Sequence, residues 1–342
     1  MHLTKVSTLP TVPIRYLRKV SIIGRRADRG KGNHVNENFG RRVSGEIQEA
    51  AAKVGPAVVR VEAEGPSGVG MGSGVLVDAG RGEVVTNAHV VHERDEVAVT
   101  FHDGVTRGGE VVAYDRLYDL ALVRTRPPVQ RDLPLATEED LRPGEIVLAV
   151  GNPFGFDWTV TLGVVSAVER MVGPLDGLVQ TDAAINPGNS GGALADLEGR
   201  LVGIPTMIVA AGQNLGFAIP AWQVELALGQ FRQFGRAQHP WIGIRGATEV
   251  VSPEIARLLD LPAQRGVVTV TVEEGGPAAS AGLMPFDVIT GAGGVPTPSL
   301  AALRRVVRGT PVGEELELKI LRHGTLMLQG VRVRELPPVY TR

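Results

Sequence analysis

The stretch INPGNSGGALADLEGRLVGI, residues 185–204, sets one serine among five turn-forming residues and follows it with two short apolar runs. That serine is Ser190, and its neighbours are Pro187, Gly188, Asn189, Gly191 and Gly192. Such a composition is typical of a tight hairpin, because Pro, Gly and Asn are common turn residues. It equally suits a nucleophile, since glycines let a substrate approach and leave N–H groups free for an oxyanion. The letters after the serine predict strand, turn and strand.

The surrounding chain predicts a mainly β fold. Short apolar runs follow one another closely, with turn residues and almost no helix between them: GSGVLVD, GEVVTNA, EVAVTF, GEVVAYD and LALVRT, and then EIVLAVG, TVTLGVVSAVE, GLVQTDA, GALAD, RLVGIPTMIV and LGFAIP. Strands at this spacing favour antiparallel barrels or sandwiches over a parallel α/β sheet. The break at residues 126–145 divides the runs into two halves, as a double barrel requires.

Composition narrows the class of protein. A length of 342 residues suggests two domains. The content of 43% hydrophobic and 21% charged residues is that of an ordinary globular chain, and the net charge of −2 favours no nucleic-acid partner. The absence of cysteine excludes disulfides, thiol catalysis and Cys-ligated metals. No run approaches the length of a membrane span, and the basic N-terminus lacks the apolar centre of a signal peptide, so the chain as written is expected to be cytoplasmic.

A serine nucleophile needs a base, and the base needs an orienting group. His89 follows directly on a predicted strand in TNAHVVHE, and Asp119 heads the apolar run of YDLALV, where a carboxylate requires a partner. The chain order His89, Asp119, Ser190 is the chymotrypsin order. The pentapeptide GNSGG also satisfies the G-x-S-x-G elbow of α/β-hydrolases, but that elbow requires a helix after the serine and a different order. The pair His89 and His92 lacks the further ligands of a metal site.

Seven blocks resemble the HtrA (Deg) family of serine endopeptidases: GSGVLVD, VVTNAHVV, YDLALV, VLAVGNPFG, GVVSAVER, QTDAAINPGNSGGAL and LGFAIP. The resemblance covers roughly residues 46 to 336 and implies a chymotrypsin-like double antiparallel β-barrel followed by one PDZ domain of α+β type. It implies Ser190 as nucleophile, His89 as general base and acid, and Asp119 as the group that orients His89. No metal or organic cofactor is implied.

The same resemblance implies the binding sites around the triad. The oxyanion hole is expected at Gly188, Asn189 and Ser190, with the first and last donating N–H groups. The specificity pocket is expected to have Ala184 at its base, narrowed by three further residues: Ile185, Gly203 and Pro205. An apolar base cannot compensate a buried Lys or Arg, so cleavage after small or medium aliphatic residues is expected. Pro205 stands where the family usually has Asn, which removes an N–H from the strand beside the substrate.

The last hundred residues resemble a PDZ domain through WIGIRG, GPAASAGLMPFDVIT and SLAALRRVV. In such domains a peptide C-terminus adds as a strand and its carboxylate binds backbone N–H groups. The expected positions are Trp241, Ile242, Gly243 and Ile244, with Leu303 and Val307 facing the terminal side chain. Phe286 stands where the family usually has Gly, so its turn must change type or accept strain of ~1–2 kcal/mol.

The predicted organisation is a basic flexible arm over residues 1–44, a protease domain over 45–233, a linker over 234–238, a PDZ domain over 239–336 and a tail over 337–342. Expected partners are unfolded polypeptide substrates, C-terminal peptides and further copies in a homotrimer or higher oligomer, with no nucleic acid and no integral membrane segment. Family members are usually exported, so a periplasmic or cell-envelope location is the alternative to the cytoplasm. The alternative function is a catalytically silent peptide-binding chaperone or scaffold on the same fold.

Overall fold

The computed structural model of the chain describes residues 33–337, apart from 66–67, 93, 128–129, 137–140, 153–157, 174, 187, 209–214, 259–260 and 262. Two compact units divide the chain, Met1–Ser44 and Gly45–Arg342. Most of the predicted arm and nearly all of the predicted tail lie outside the described residues. The second unit contains two β-barrels and a smaller α+β region.

The run GEIQEAAAKV predicts a short helix that begins at Gly45, where apolar periodicity starts. The first helix, α1, is longer, because it begins at Asn33 and ends at Val54. The preceding residues are polar but contain no proline, so nothing sterically prevents the helix from extending towards the N-terminus. Towards its C-terminal end the helix buries Ala50 and Val54 completely in the main core.

The first barrel has six strands: β1 (Val58–Gly65), β2 (Gly68–Asp78), β3 (Glu83–Thr86), β4 (Glu96–Thr100), β5 (Thr106–Asp115) and β6 (Leu120–Thr125). Their order is β1-β2-β3-β6-β5-β4, and pairing of β1 with β4 closes the barrel. Valine is frequent in the interior, because β-branched residues suit a pleated and buried surface. A four-residue helix, α2 (Ala88–Val91), follows β3 and was not predicted.

The second barrel has the strands β7 (Ile146–Gly151), β8 (Thr159–Val172), β9 (Leu175–Thr181), β10 (Ala193–Ala195), β11 (Leu201–Ile208) and β12 (Gly216–Pro220). Their order is β10-β11-β12-β9-β8-β7, closed by pairing of β10 with β7. The prediction of a double antiparallel barrel is therefore confirmed. The stretch after Ser190 is strand, turn and strand, as expected.

Helix α3 (Ala221–Phe234) follows the second barrel and ends at Gly235, whose φ of 65° is the left-handed conformation of a helix C-cap. Near its end Arg232 binds the fully buried carboxylate of Glu83 on β3, at 2.6 and 2.9 Å. The helix thus returns to the first barrel. The spacing of AWQVELALGQFRQFG predicts one apolar face for this helix, formed by Trp222, Val224, Leu226, Leu228 and Phe231. Val224, Leu228 and Phe231 are buried, whereas Trp222 and Leu226 are half-buried.

The C-terminal region has its own core and forms the strands β13 (Pro240–Trp241), β14 (Ile244–Val250), β15 (Arg265–Val272), β16 (Val288–Ala292), β17 (Val295–Pro296), β18 (Glu315–Arg322), β19 (Thr325–Arg332) and β20 (Arg334–Glu335). Its helices are α4 (Pro253–Leu258), α5 (Pro277–Ser280) and α6 (Leu300–Gly309). The main sheet has the order β14-β15-β16-β18-β19, which leaves β14 at one edge.

Phe286 occupies the turn between α5 and β16 and keeps the left-handed conformation usually reserved for glycine. Its φ is 73°, its side chain is 81% exposed, and its N–H donates to the carbonyl of Thr269 at 2.7 Å. The turn therefore accepts backbone strain of ~1–2 kcal/mol rather than changing its type.

Candidate active site and peptide-binding groove

His89 and Asp119 meet at one end of the first barrel. His89 lies on α2, which begins two residues after β3 ends, and Asp119 directly precedes β6. Because β3 and β6 pair with Thr86 opposite Ala121, both residues emerge at the same edge. The Nδ1 atom of His89 lies 2.8 Å from Oδ2 and 3.0 Å from Oδ1 of Asp119. The expected contact between the two side chains is present.

Several further bonds fix this pair. The backbone N–H of His89 donates to Oδ1 of Asp119 at 3.0 Å, and the buried side chain of Asn87 donates to the carbonyl of Asp119 at 2.8 Å. Asp119 itself has a φ of 54°, a conformation that few residues other than glycine adopt. Such strained positions concentrate at functional sites, where surrounding contacts hold them in place.

Thr206 is a neighbour of Asp119 that the sequence analysis missed. It lies on β11 of the second barrel, is 6% exposed, and donates its hydroxyl to Oδ2 of Asp119 in a short hydrogen bond. The carboxylate thus accepts from both barrels. No local signal marks this threonine, because its partner lies in a distant strand of the other barrel.

Backbone hydrogen bonds fix the loop around Ser190. The N–H of Asn189 donates to the carbonyl of Asn186 at 3.0 Å, and the carbonyl of Asn189 accepts from Gly192 at 2.9 Å. The N–H of Gly191 donates to Pro205 at 3.0 Å.

Within the described part of the chain, no acceptor takes the N–H of Gly188 or of Ser190. These are the two donors expected for an oxyanion hole, and Gly188 has the glycine-specific φ of 103°.

The Ser190 loop lies against the turn that carries His89. Gly191, at a φ of 81°, packs so closely on Thr86 and Asn87 that a Cβ there would overlap the Thr86 hydroxyl. Among the described residues no hydrogen bond joins the Ser190 hydroxyl to the His89 imidazole. Catalytic hydrogen bonds often tighten only when substrate binds. The His89 side chain is 49% exposed and is open to a substrate.

The four residues expected around the specificity pocket do not share one environment. Ala184 is exposed, and its carbonyl accepts from Thr161 at 3.0 Å and from Asn189 at 3.3 Å. Ile185 packs in the core of the second barrel, and Gly203 and Pro205 are buried in β11. The loop VAAGQNLG, residues 209–216, which joins β11 to β12, lies mostly outside the described residues.

The six residues expected to bind a peptide C-terminus line one cavity of about 390 Å³: Trp241, Ile242, Gly243, Ile244, Leu303 and Val307. The carbonyls of Ile242 and Gly243 are engaged, accepting from Ala278 and Glu273 at 2.8 Å. Among the described residues no acceptor takes the N–H of Ile242 or of Gly243. The cavity therefore has two free N–H donors beside the exposed edge of β14.

The barrels contribute the opposite wall of this cavity. Asp176 on β9 lies 2.8 Å from Arg304 on α6 and also forms an ion pair with Arg308. The guanidinium of Arg308, 9% exposed, also stacks over the ring of Tyr118 at 4.2 Å. Burial lowers the pKa of Arg304, and Tyr118 opposes that shift. An arginine remains charged under these conditions, so Asp176 faces two cations.

Among the residues that the structure describes, no group of three or more His, Cys, Asp or Glu side chains is arranged to hold a metal ion. In the same part of the chain, no helix has the length and apolar character needed to cross a membrane.

Comparison with known proteins agrees with the two regions. Residues 72–204 match the Trypsin-like peptidase domain family, and residues 242–333 match the PDZ domain family. The chain is 41% identical to the periplasmic serine endoprotease DegP of Salmonella typhimurium, over 78% of this chain and 57% of that protein. It is 35% identical to the putative serine protease HhoB of Synechocystis, over 85% of this chain and 79% of that protein. The chain spans little more than half the length of DegP.

Solved structures extend the likeness to the whole described fold. The HtrA-type protease AlgW with a tripeptide has a TM-score of 0.71 and 33% identity, covering 85% of this chain and 97% of AlgW. The serine endoprotease from Yersinia pestis has a TM-score of 0.64 and 30% identity, covering 85% of this chain and 98% of that structure. A trypsin-like domain, a PDZ domain and extended similarity to HhoB and AlgW lead to one conclusion: the chain belongs to the HtrA (Deg) family of serine proteases.

Proposed function

We propose that the protein is a serine endopeptidase that degrades unfolded or damaged proteins. The observation that carries the proposal is the contact of His89 Nδ1 with the Asp119 carboxylate at 2.8 Å, beside a loop in which the N–H groups of Gly188 and Ser190 have no acceptor among the described residues. A carboxylate at Nδ1 keeps the proton on that nitrogen, so Nε2 is free to accept a proton. This is the protonation state that a general base requires.

In the proposed mechanism the Ser190 hydroxyl attacks the substrate carbonyl carbon while its proton passes to Nε2 of His89. Asp119 stabilises the imidazolium, and the N–H groups of Gly188 and Ser190 stabilise the oxyanion. His89 then gives its proton to the leaving amine, which releases an acyl-enzyme. Water attacks that ester with His89 again as base, and His89 then returns the proton to the Ser190 oxygen as the bond to the carboxylic acid product breaks. The chain's own residues supply every proton transfer.

Unfolded polypeptides are the proposed substrates because attack requires an extended segment. The donors of Gly188 and Ser190 belong to one loop that is held against both barrels, so the scissile carbonyl must reach them. A folded substrate cannot bring a main-chain carbonyl into such a loop without local unfolding. The names of the relatives, which are endoproteases, support the same class.

Cleavage after small or medium aliphatic residues is part of the proposal. Ala184, expected at the base of the pocket, offers no charge to a substrate side chain, and an unpaired Lys or Arg there would be costly. Pro205 supplies a carbonyl to Gly191 but no N–H, so it cannot donate to a substrate strand. A peptide library analysed by mass spectrometry should show Val, Ala, Ile or Leu before the cut; preferred cleavage after Lys or Arg would contradict the pocket assignment.

The cavity beside β14 is proposed to bind peptide C-termini. A peptide that pairs with the free edge of β14 would direct its carboxylate towards the N–H groups of Ile242 and Gly243. Leu303 and Val307 offer an apolar wall for its last side chain. Fluorescence anisotropy should show binding of a peptide ending in Val and at least tenfold weaker binding of the same peptide with an amidated C-terminus. Equal affinities would exclude carboxylate recognition.

Occupancy of the cavity is proposed to change proteolysis, because Asp176 of the barrels and Arg304 of the PDZ domain line the same space. A ligand that prefers one arrangement tenfold shifts the balance by ~1.4 kcal/mol. A chain ending at Gln238 should cleave short peptides without responding to added C-terminal peptides. A response from the shortened chain would show that the sensor lies elsewhere.

The proposed domain boundaries, at residues 45, 234, 239 and 337, follow from the same division of roles. Assembly into a homotrimer or higher oligomer remains a proposal, as does a periplasmic location, which the names of several relatives support. Light scattering of the purified chain tests the first, and fractionation of the source cells tests the second.

Degradation of casein tests the proposed activity. The wild-type protein should convert casein to peptides, and Ser190→Ala should abolish that conversion while keeping the same melting temperature. Thr125→Val, far from the triad, serves as the matched control and should retain activity. If the wild type and Ser190→Ala degrade casein at the same rate, the protease proposal is wrong and the scaffold alternative takes its place.

A further inference from the structure

Ser73 forms hydrogen bonds with every polar group it has, and two of its four bonds reach the Ser190 loop. It lies on β2 of the first barrel and is fully buried. Its N–H donates to the carbonyl of Ser190 at 2.9 Å, and its hydroxyl donates to the carbonyl of Gly188 at 2.5 Å. The hydroxyl oxygen accepts from the N–H of Asn152 at 2.8 Å, and the Ser73 carbonyl accepts from Thr86 at 2.6 Å.

We propose that Ser73 is a positioning residue for the oxyanion hole. The two residues whose N–H groups form the hole, Gly188 and Ser190, both have their carbonyls held by Ser73. The inference rests on the proposed protease function and assigns a task to a side chain that the triad does not include.

The hydroxyl matters because it restrains a glycine. The peptide plane between Gly188 and Asn189 is held at one end by Ser73 and at the other by Asn186, which accepts the Asn189 N–H. Gly188 has no Cβ to restrict rotation at its φ of 103°. Without the hydroxyl, its carbonyl and the N–H of Asn152 would lose their partner, and buried unpaired groups drive local rearrangement. Rotation about the φ angle of Gly188 would then move its N–H, which belongs to the preceding peptide, off the oxyanion.

The hydrogen bond from the Thr86 hydroxyl to the Ser73 carbonyl links Ser73 to the first barrel's β3. Thr86 ends β3 and lies three residues before His89, so Ser73 is tied to the strand that carries the base. Through Ser73, the oxyanion donors of the second barrel are located relative to the histidine of the first. A catalytic geometry of this kind tolerates little displacement, since misplacement by about 1 Å can cost roughly 100-fold in rate.

The test compares Ser73→Ala with wild type in the full-length protein. One measurement is kcat and KM on a peptide p-nitroanilide. The other is affinity for a peptide aldehyde, whose carbonyl carbon accepts the Ser190 oxygen while the Ser190 proton ends on the adduct or on His89. That tetrahedral adduct uses the oxyanion hole, whereas the matching peptide alcohol cannot form it. Calorimetric stoichiometry with the alcohol gives the fraction of folded sites.

We expect Ser73→Ala to lower kcat by about 10- to 100-fold, less than or equal to the effect of losing one oxyanion donor. KM and the affinity for the alcohol should change by less than about threefold, and the aldehyde affinity should fall by the same factor as kcat. Ser73→Cys keeps the shape with a weaker donor and should fall between the two. No disulfide can form in that variant, because the chain has no other cysteine.

Thr125→Val is the matched control for a merely structural role. Thr125 is also buried in the first barrel and donates its hydroxyl to a glycine carbonyl, that of Gly108, at 2.9 Å. Its loss should lower the melting temperature without changing kcat per folded site.

Two results would overturn the inference. In one, Ser73→Ala keeps its kcat and aldehyde affinity per folded site. In the other, it loses activity only in proportion to unfolding, as a failure to fold would also show. If the wild type has no Ser190-dependent cleavage, the proposed function fails first and this inference fails with it.

Discussion

Replacing Asp119 with asparagine should disable the base without removing it. Three donors converge on the carboxylate: the N–H and Nδ1–H of His89 and the hydroxyl of Thr206. An asparagine has one acceptor oxygen and a donating NH₂ group. If its oxygen keeps the bond to the backbone N–H of His89, its NH₂ faces Nδ1 and Thr206. Nδ1 must then accept, so the imidazole proton moves to Nε2.

A histidine with its proton on Nε2 cannot take the proton of Ser190. The wrong tautomer lowers kcat by about 10⁴ in a triad of this type, which corresponds to an increase of ~5.5 kcal/mol in the activation free energy. The lost hydrogen bonds to a charged group cost about 1.5–3 kcal/mol of folding free energy, which is much smaller. Asp119→Asn should therefore fold, bind substrate with nearly unchanged KM, and turn over about 10⁴-fold more slowly.

The assay measures kcat and KM on a peptide p-nitroanilide together with the melting temperature. Asp115→Asn is the matched control, because Asp115 is likewise an aspartate beside a histidine, with Nε2 of His239 at 3.3 Å. An asparagine there can still accept the N–H of Leu117 through its oxygen, so kcat should fall less than tenfold. The reasoning is refuted if Asp119→Asn retains more than a tenth of the wild-type kcat, or if both variants lose activity equally.

Three further predictions follow from other contacts. Thr206→Val, which removes one hydrogen bond to a carboxylate, should lower kcat about tenfold with unchanged KM; an unchanged kcat would deny Thr206 a role. Glu83→Gln should lower the free energy of unfolding in urea by about 2 kcal/mol, less than for a fully buried pair because Arg232 is 33% exposed; a neutral result would contradict this. Burial raises the pKa of Asp287, but hydrogen bonds from Arg322 and the Met284 N–H outweigh burial and lower that pKa. The ionised carboxylate therefore stabilises the fold above about pH 4, the pKa of an unfolded aspartate, and this stabilisation is lost as the pH falls below it. Asp287→Asn should flatten the acid dependence of PDZ unfolding.

Much of the fold was predictable because its signals are local. Most strands of the two barrels are short runs rich in β-branched residues and bounded by turn residues, and neighbouring strands in sequence mostly pair in space. The contact of His89 with Asp119 was predictable for a related reason: each residue sits at the end of a strand, and β3 and β6 are neighbours. Chain order then supplied the position of the serine.

What escaped prediction depends on distant parts of the chain meeting. The hydroxyls of Ser73 and Thr206 look like ordinary strand residues, and only docking of the two barrels gives them partners. The ion pairs of Arg304 and Arg308 with Asp176 arise in the same way, from a helix of the PDZ domain meeting a strand of the second barrel. Periodicity shows which face of an element is buried but not what covers it.

The division of the candidate triad between two barrels has a consequence for biosynthesis. His89 and Asp119 belong to the first barrel, whereas Ser190 lies in the loop before β10 of the second barrel. Hydrogen bonds such as the one from the Ser73 N–H to the Ser190 carbonyl join the two barrels, so we expect them to form only after both barrels have closed. Contacts this far apart in sequence form late, because loop-closure entropy opposes them. A ribosome-bound chain that has completed only the first barrel therefore has a base without a nucleophile. We therefore expect hydrolytic activity to appear only at one of the last steps of folding.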